Sequence, residues 1–159
     1  MRKETAKGRE KYDMRNVALS QLGYRSYTEY LQSDDWKAIR TEVLSKSPLC
    51  LCCEKEAQVV HHVRYDSATL LGLRHHVLAT LCHACHESIE IQDGEKVALG
   101  QANNQLFYKA RKTPTGAAWI KHYLATLGEE RDSGKFRLYS RDMKAVGREL
   151  KTRLQEKLV

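Results

Sequence analysis

Long apolar runs are absent from the 159-residue chain. No stretch approaches the roughly 20 consecutive apolar residues of a membrane-spanning helix, and the basic segment 1–12 is not followed by the apolar run of a signal peptide. Lipidation signals, internal repeats and low-complexity segments are missing as well. We therefore expect a soluble cytoplasmic protein without a membrane partner, formed of one domain or of a small domain with appendages.

Acidic residues are scarce in only one part of the chain. Residues 1–105 carry 14 Lys and Arg against 14 Asp and Glu, whereas residues 106–159 carry 13 against 6, so the formal charge of +7 lies in the C-terminal third. Such an excess favours a polyanionic partner. Because no lipidation signal accompanies it, nucleic acid is expected rather than an acidic membrane surface.

The apolar pattern predicts an α+β chain with two short strands between groups of helices. A β-branched run predicts a strand within 57–65, and a second follows at 77–81 after a loop at 66–74. Helices are predicted from Ser26, from Ser33 to Ser47-Pro48, and at 85–91, 97–112, 115–127 and 140–158. Asp93-Gly94 is expected to stop the helix at 85–91. The predicted segments are a basic arm (1–25), a metal-binding domain (26–94) and a helical basic extension (95–159), with a linker at 131–135.

Two Cys-x-x-Cys pairs are present, Cys50 with Cys53 and Cys82 with Cys85. In a reducing compartment such pairs are metal ligands rather than disulfides. Four thiolates make a closed tetrahedral zinc set, so we predict a structural Zn²⁺ that organises the fold. Because this set is coordinatively full, its metal cannot activate water. The fifth cysteine, Cys52, lacks a partner at the two-residue gap.

The histidines are concentrated in the same stretch. Residues 50–90 hold all five cysteines and six of the seven histidines. His61 and His62 end the first predicted strand, and His86 directly follows the last cysteine. Closing both cysteine pairs on one zinc would bring this strand against the following helix and build a second cluster beside the zinc. Glu90 lies one helical turn after His86 on the same face and adds a carboxylate.

These motifs resemble the HNH endonuclease family, which has a ββα-metal fold. The matching pieces are the first Cys-x-x-Cys, the run A-x-x-V-H-H-x-x-Y at 57–65 and the run L-C-x-x-C-H-x-x-I at 81–89. The helix that often leads into such domains is matched by Tyr30, Leu31, Ser33, Trp36 and Arg40. The likeness covers about residues 26–92, and it implies a ββα-metal core with short helices before it and a helical extension after it.

The resemblance implies a role for each residue of the cluster. His62 matches the general base that activates water for attack on a phosphodiester, and His61 and His86 match ligands of a catalytic divalent metal, Mg²⁺ or another. That metal would act as a Lewis acid that stabilises the pentacovalent phosphate and the leaving 3′ oxygen. Glu90 stands where related sequences often have another His, and a carboxylate is an acceptable ligand for a hard metal.

One residue of the family motif is missing. The middle Asn of the family holds the catalytic imidazole or its loop in place and would fall near Val77. No Asn occurs between Glu54 and Ala102. His76 is the nearest residue that could replace it, and we include it among the catalytic candidates.

Basic residues supply the expected nucleic-acid contacts. Arg64 and Arg74 flank the proposed cleft, although solvated surface charge explains either one equally well. The predicted helix at 140–158 is a better footprint, because a basic face opposite an apolar stripe can dock on the core and still present charge to a duplex. Its candidates are Arg141, Lys144, Arg148 and Lys151. The C-terminal helices could also join two copies of the chain in a homodimer.

Three functions fit this sequence. The first, implied by the resemblance, is a metal-dependent DNA endonuclease that nicks one strand or cuts both. The second is a catalytically inactive zinc module that binds nucleic acid or a protein. The missing Asn favours it, whereas the retained trio of His61, His62 and His86 argues against it. The third is an RNA-directed nuclease, which the sequence does not separate from the first, although it shows no aromatic platform of the kind that single-strand readers use.

Overall fold

A computed structural model of the protein describes residues 6–133, with side chains from residue 14 onward. Over this range the chain forms helices and two small antiparallel sheets, which confirms the predicted α+β class. The helices are α1 (Ala6–Gln21), α2 (Tyr27–Gln32), α3 (Asp34–Lys46), α4 (Ser67–Leu70), α5 (His83–Glu90), α6 (Leu99–Ala110) and α7 (Pro114–Asp132). The strands are β1 (Val59–His62), β2 (Leu78–Leu81), β3 (Ile91–Gln92) and β4 (Glu95–Lys96). None of these helices has the length and apolar content needed to cross a membrane.

The described chain divides into two compact units, each assembled from separated segments. The first contains residues 6–39, 64–75 and 129–133, and the second contains residues 40–63 and 76–128. The division of the sequence at residues 25 and 94 stays a prediction.

The first unit is packed around Tyr30. Ser26 begins α2 by accepting a hydrogen bond from the Glu29 N–H at 3.1 Å, and this helix carries Tyr30 into the core. The Tyr30 hydroxyl donates to the carbonyl of Leu70 in α4 at 2.8 Å, and its ring centroid lies 5.5 Å from that of Trp36. The burial of Trp36 confirms the prediction that it is a core residue.

The second unit is built on β1 and β2. These strands pair antiparallel, with Val59 opposite Leu81 and His61 opposite Ala79. All four residues of β2 are buried, and Ala79 and Leu81 join a core that includes Ile89 of α5 and Leu106 of α6. Burying each of these large aliphatic side chains contributes roughly 1.5–3 kcal/mol. Two of the predicted zinc ligands, Cys50 and Cys82, belong to the same core.

The predicted loop at 66–74 is partly helical. The Asp66 carboxylate accepts a hydrogen bond from the Thr69 N–H at 3.0 Å and so caps α4. All four residues of α4 are buried. A helix of one turn is too short to show an apolar period in the sequence, which is why the pattern indicates only a loop there.

Asp93-Gly94 does more than stop a helix. Helix α5 ends at Glu90, and the chain then turns back so that Ile91 pairs with Lys96 and Gln92 with Glu95. Asp93 and Gly94 have φ of 51° and 76°, so both lie in the left-handed region. Asp-Gly favours a two-residue hairpin turn of this kind because glycine has no Cβ to clash there.

Both ends of the described chain are helical. The N-terminal segment forms α1, and its buried residues Ala18, Leu19 and Leu22 belong to the first unit. The predicted linker at 131–135 begins inside α7, which continues to Asp132. The predicted helix at 140–158 lies outside the described residues.

Candidate metal centres

Four cysteine sulfurs meet at one point of the second unit. The Sγ atoms of Cys50, Cys53, Cys82 and Cys85 all lie within 4.8 Å of one another, and Cys53 Sγ is 3.7 Å from Cys82 Sγ. This arrangement confirms that the two Cys-x-x-Cys pairs come together. Four thiolates at such distances could hold a metal such as zinc.

The first pair is shaped by a tight turn. Cys50 N–H donates to the carbonyl of Lys55 at 2.7 Å, Glu54 N–H donates to the carbonyl of Cys50 at 2.8 Å, and Glu54 has a left-handed φ of 61°. Leu51 N–H donates to the carbonyl of Thr80 in β2 at 3.0 Å. These bonds attach the turn to the strand that leads into the second cysteine pair.

The second pair begins α5. Cys82 is the N-cap residue, and its Sγ accepts a hydrogen bond from the Cys85 N–H at 3.4 Å. A sulfur that receives an N–H at a helix start is better able to carry negative charge. The capping geometry therefore prepares Cys82 to be a thiolate ligand.

The sulfurs cannot all ionise without a cation to offset their charges. Burial opposes ionisation of Cys82, but hydrogen bonds from the Cys85 N–H and from the neighbouring thiols lower its pKa to about 7. Burial and the adjacent sulfurs raise the pKa of Cys85 well above the ordinary value, and burial also raises the pKa of Cys53. A divalent cation would offset the repulsion among four thiolates at this distance. Metal binding is therefore expected to release protons from the cysteines.

Residues at the start of α7 form hydrogen bonds with the turn that carries the first cysteine pair. Thr113 Oγ1 donates to the carbonyl of Leu51 at 2.6 Å, and Glu54 Oε1 accepts from both the N–H and the hydroxyl of Thr115 at 3.0 and 2.8 Å. These bonds lower the pKa of Glu54, the backbone bond contributing most. At Gly116 the chain has no room for a side chain, because an added Cβ would lie within 3.0 Å of the carbonyl oxygens of Ala110 and Leu51.

A second group of metal-binding side chains lies on β1 and α5. The ligand atoms of His61, His86 and Glu90 are all within 4.8 Å of one another. Glu90 Oε1 is 3.6 Å from His61 Nδ1 and 3.2 Å from His86 Nε2, and the two ring centroids are 5.6 Å apart. The strand provides one ligand, and the helix provides two at an i, i+4 spacing. This grouping coincides with the one predicted for the catalytic metal.

The carboxylate of this group is kept ionised. The neighbouring rings of His61, first, and of His86 hold the pKa of Glu90 well below its usual range, although burial acts in the opposite direction. His61 is 2% exposed. A buried ring beside an ionised carboxylate provides the charge and the lone pairs that a divalent cation needs.

Asn103 of α6 also contacts this group, and the sequence did not indicate it. Its Oδ1 lies 2.9 Å from His61 Nε2, and its Nδ2 donates to the carbonyl of Val63 at 3.0 Å. Position 103 is 42 residues from His61, so no local motif links them. The only sequence signal is the presence of Asn103 and Asn104 inside a helix, where Asn is unfavourable unless its side chain has another role.

The two predicted catalytic histidines are not members of the three-residue group. His62 follows His61 in β1 and is 2% exposed. His76 lies in a single 3₁₀ turn (His75–Val77), is mostly buried, and has its ring centroid 6.2 Å from that of Tyr123. Asn103, not His76, bonds to the His61 ring among the described residues.

The predicted phosphate-binding arginines both belong to the first unit. Arg64 is partly buried. Arg74 is 3% exposed, its Nε donates to Glu130 at 2.7 Å and its NH1 donates to Asp66 at 2.6 Å. A phosphate would have to compete with these two carboxylates for the guanidinium, so the observed contacts of Arg74 are structural ones, and its phosphate contact stays a prediction. Arg141, Lys144, Arg148 and Lys151 lie outside the described residues.

Comparisons of the chain with protein-family models, with curated proteins and with solved structures gave no match. The interpretation of the two groups therefore depends on their own chemistry, and membership of the HNH family stays a prediction.

Proposed function

We propose that the protein is a metal-dependent endonuclease of the HNH type that hydrolyses DNA phosphodiester bonds. The observation that carries this proposal is the convergence of His61, His86 and Glu90 within 4.8 Å beside a four-cysteine group. A structural zinc set leaves no coordination position for a substrate, whereas three protein ligands leave positions for water and phosphate. The formal charge of +7 is consistent with a polyanionic substrate.

The proposed roles divide the chemistry between two neighbouring residues of β1. His61, with His86 and Glu90, would hold a divalent cation such as Mg²⁺, which supplies Lewis-acid stabilisation of the charge on the phosphate. His62 would accept a proton from a water molecule while the water oxygen attacks phosphorus. The bond from phosphorus to the 3′ oxygen then breaks, and the leaving oxygen takes a proton from solvent. The products are a 5′-phosphate and a 3′-hydroxyl.

The test is cleavage of supercoiled plasmid by the full chain with Mg²⁺, Mn²⁺, Zn²⁺ or EDTA. We expect nicking that requires a divalent cation, that falls about 10²–10⁴-fold in His62→Ala through loss of the base, and that falls strongly in His61→Ala and Glu90→Gln. His122→Ala is the matched control. Because His122 is exposed on α7, this variant should cleave plasmid at the normal rate. Each variant should retain the zinc of the four cysteines.

Two results would contradict this proposal in different ways. Cation-dependent cleavage that survives in His62→Ala would remove His62 as the base and leave the nuclease. The absence of cleavage with every cation, from protein that contains its zinc, would remove the nuclease itself. Running the same series on RNA separates an RNA-directed enzyme from a DNA-directed one.

A catalytically inactive zinc module that binds nucleic acid is the second candidate, and the burial of His62 favours it. A general base must contact the water that it deprotonates, and only 2% of His62 is exposed. This candidate predicts DNA binding that weakens steeply with salt, together with no nicking under any cation.

A further inference from the structure

We infer that Asn103 is a positioning residue that directs Nδ1 of His61 toward the metal site by holding Nε2 as the protonated ring nitrogen. The inference depends on the proposed function only in taking His61 as a metal ligand. It concerns a residue of α6, outside both the cysteine pairs and the histidine motif, and it specifies which atom of His61 binds the cation.

The orientation of the Asn103 amide is determined by its contact with Val63. A backbone carbonyl can only accept a hydrogen bond, so the amide atom 3.0 Å from the Val63 oxygen must be the NH₂ group. The reverse orientation would bring two oxygens together at that distance and leave both without a donor. The backbone of Val63 is itself anchored, because its N–H donates to the carbonyl of Val77 at 2.9 Å.

The amide orientation in turn determines the state of His61. With the NH₂ group directed at Val63, the oxygen Oδ1 faces His61 Nε2 at 2.9 Å. An amide oxygen accepts and never donates, so Nε2 must carry the hydrogen. When the ring loses a proton to bind a cation, the nitrogen that becomes free is therefore Nδ1.

The remaining geometry agrees with this assignment. Nδ1 is the His61 nitrogen that faces Glu90 Oε1, at 3.6 Å, and the same oxygen lies 3.2 Å from His86 Nε2. The three ligand atoms are then His61 Nδ1, His86 Nε2 and Glu90 Oε1. A metal-binding histidine commonly donates its other ring N–H to a carbonyl or carboxylate, which fixes the ring and increases its basicity. Asn103 supplies that acceptor here.

The direct test is ¹⁵N NMR of the histidine rings in full-length protein that carries two equivalents of Zn²⁺, with the His61 signals assigned from a His61→Gln spectrum. We expect Nε2 of His61 to give a protonated, pyrrole-type signal and Nδ1 to give the signal of a zinc-bound nitrogen. A zinc-bound Nε2 with a protonated Nδ1 would overturn the inference, and this measurement needs no variant at position 103.

Three variants test the role of the amide through binding of the second zinc equivalent. Asn103→Leu should weaken that binding about 10–100-fold, the usual effect of losing such a support. Asn103→Asp keeps an acceptor for Nε2–H, so the Nε2–H signal should persist although the bond to Val63 is lost. Asn104→Leu is the matched control. Because Asn104 is exposed in the same helix, this variant should bind the second zinc equivalent as the natural protein does.

The outcomes separate this inference from the proposed function. Normal second-site binding and an unchanged His61 spectrum in Asn103→Leu would overturn the role of Asn103. Absence of plasmid cleavage from protein with the expected His61 spectrum would refute the nuclease and leave the Asn103 assignment standing.

Discussion

Gly116 and Gly128 form a matched pair within α7, and replacing each with Ala should change stability in opposite directions. A Cβ at position 116 would lie within 3.0 Å of the carbonyl oxygens of Ala110 and Leu51, whereas a Cβ at position 128 would meet nothing within 4 Å. The two obstructing atoms belong to backbone in different segments, so neither can move aside as a flexible side chain could. Overpacking of this kind costs about 1–3 kcal/mol.

The helix itself provides the opposite contribution. Ala is favoured over Gly inside a helix by about 1 kcal/mol, so Gly128→Ala should be stabilised by about that amount. For a chain of this size 1 kcal/mol corresponds to roughly 2–4 °C in Tm. We therefore expect Gly128→Ala to melt a few degrees above the natural protein. Gly116→Ala should melt below the natural protein, because the same helix gain offsets only part of the overpacking cost at that position.

The assay is thermal unfolding of the zinc-loaded chains, followed by circular dichroism. A competing chelator should also extract zinc faster from Gly116→Ala, because Leu51 lies in the turn between the predicted zinc ligands Cys50 and Cys53. A Gly116→Ala protein that melts at or above the natural temperature would refute the close approach of α7 to this turn. Equal shifts of the same sign in both variants would refute the contrast between the two positions.

Two further predictions concern the first unit. Arg74→Met should lower the free energy of unfolding by about 3–5 kcal/mol, because it leaves Asp66 and Glu130 without their shared buried cation. The same variant should bind DNA with unchanged affinity. Urea unfolding measures the first effect and a DNA titration the second; weaker DNA binding with little loss of stability would instead support the phosphate contact. Burial, and then the hydrogen bond to Asp35, raises the pKa of Tyr24 to about 12 from 10.0, so this hydroxyl stabilises the fold below pH 10 and the contribution is lost as pH rises toward 12. The stability difference between the natural protein and Tyr24→Phe should therefore shrink over that interval in alkaline unfolding curves, and a constant difference would contradict the assignment.

The features that the sequence predicts correctly are local ones. A Cys-x-x-Cys pair is defined within four residues, so the meeting of Cys50, Cys53, Cys82 and Cys85 follows from spacing and from the chemistry of zinc alone. The i, i+4 relation of His86 and Glu90 is likewise local, because it needs only a helix. The strands are also found, although both are shorter than the pattern suggests.

The features that the sequence does not reveal depend on contacts between distant residues. Arg74 resembles a surface cation in the sequence, and its burial depends on Glu130, which is 56 residues away. Asn103 reaches His61 only because α6 packs against α5. The Asp93-Gly94 turn is local, but the apolar alternation that would mark a hairpin is missing from strands of two residues each.

The two metal groups are linked through α5, and this link argues for an order of dependence between them. Cys82 caps α5 and Cys85 lies in its first turn. His86 and Glu90 belong to the same eight-residue helix. An isolated helix of this length is unstable in water, so its position must come from its cap, from Ile89 in the core and from whatever binds the four sulfurs. A metal at the cysteines would therefore support the helix that carries two of the three ligands of the second group. The reverse does not hold, because removing the His61, His86 and Glu90 ligands leaves the capped helix and its core contacts in place.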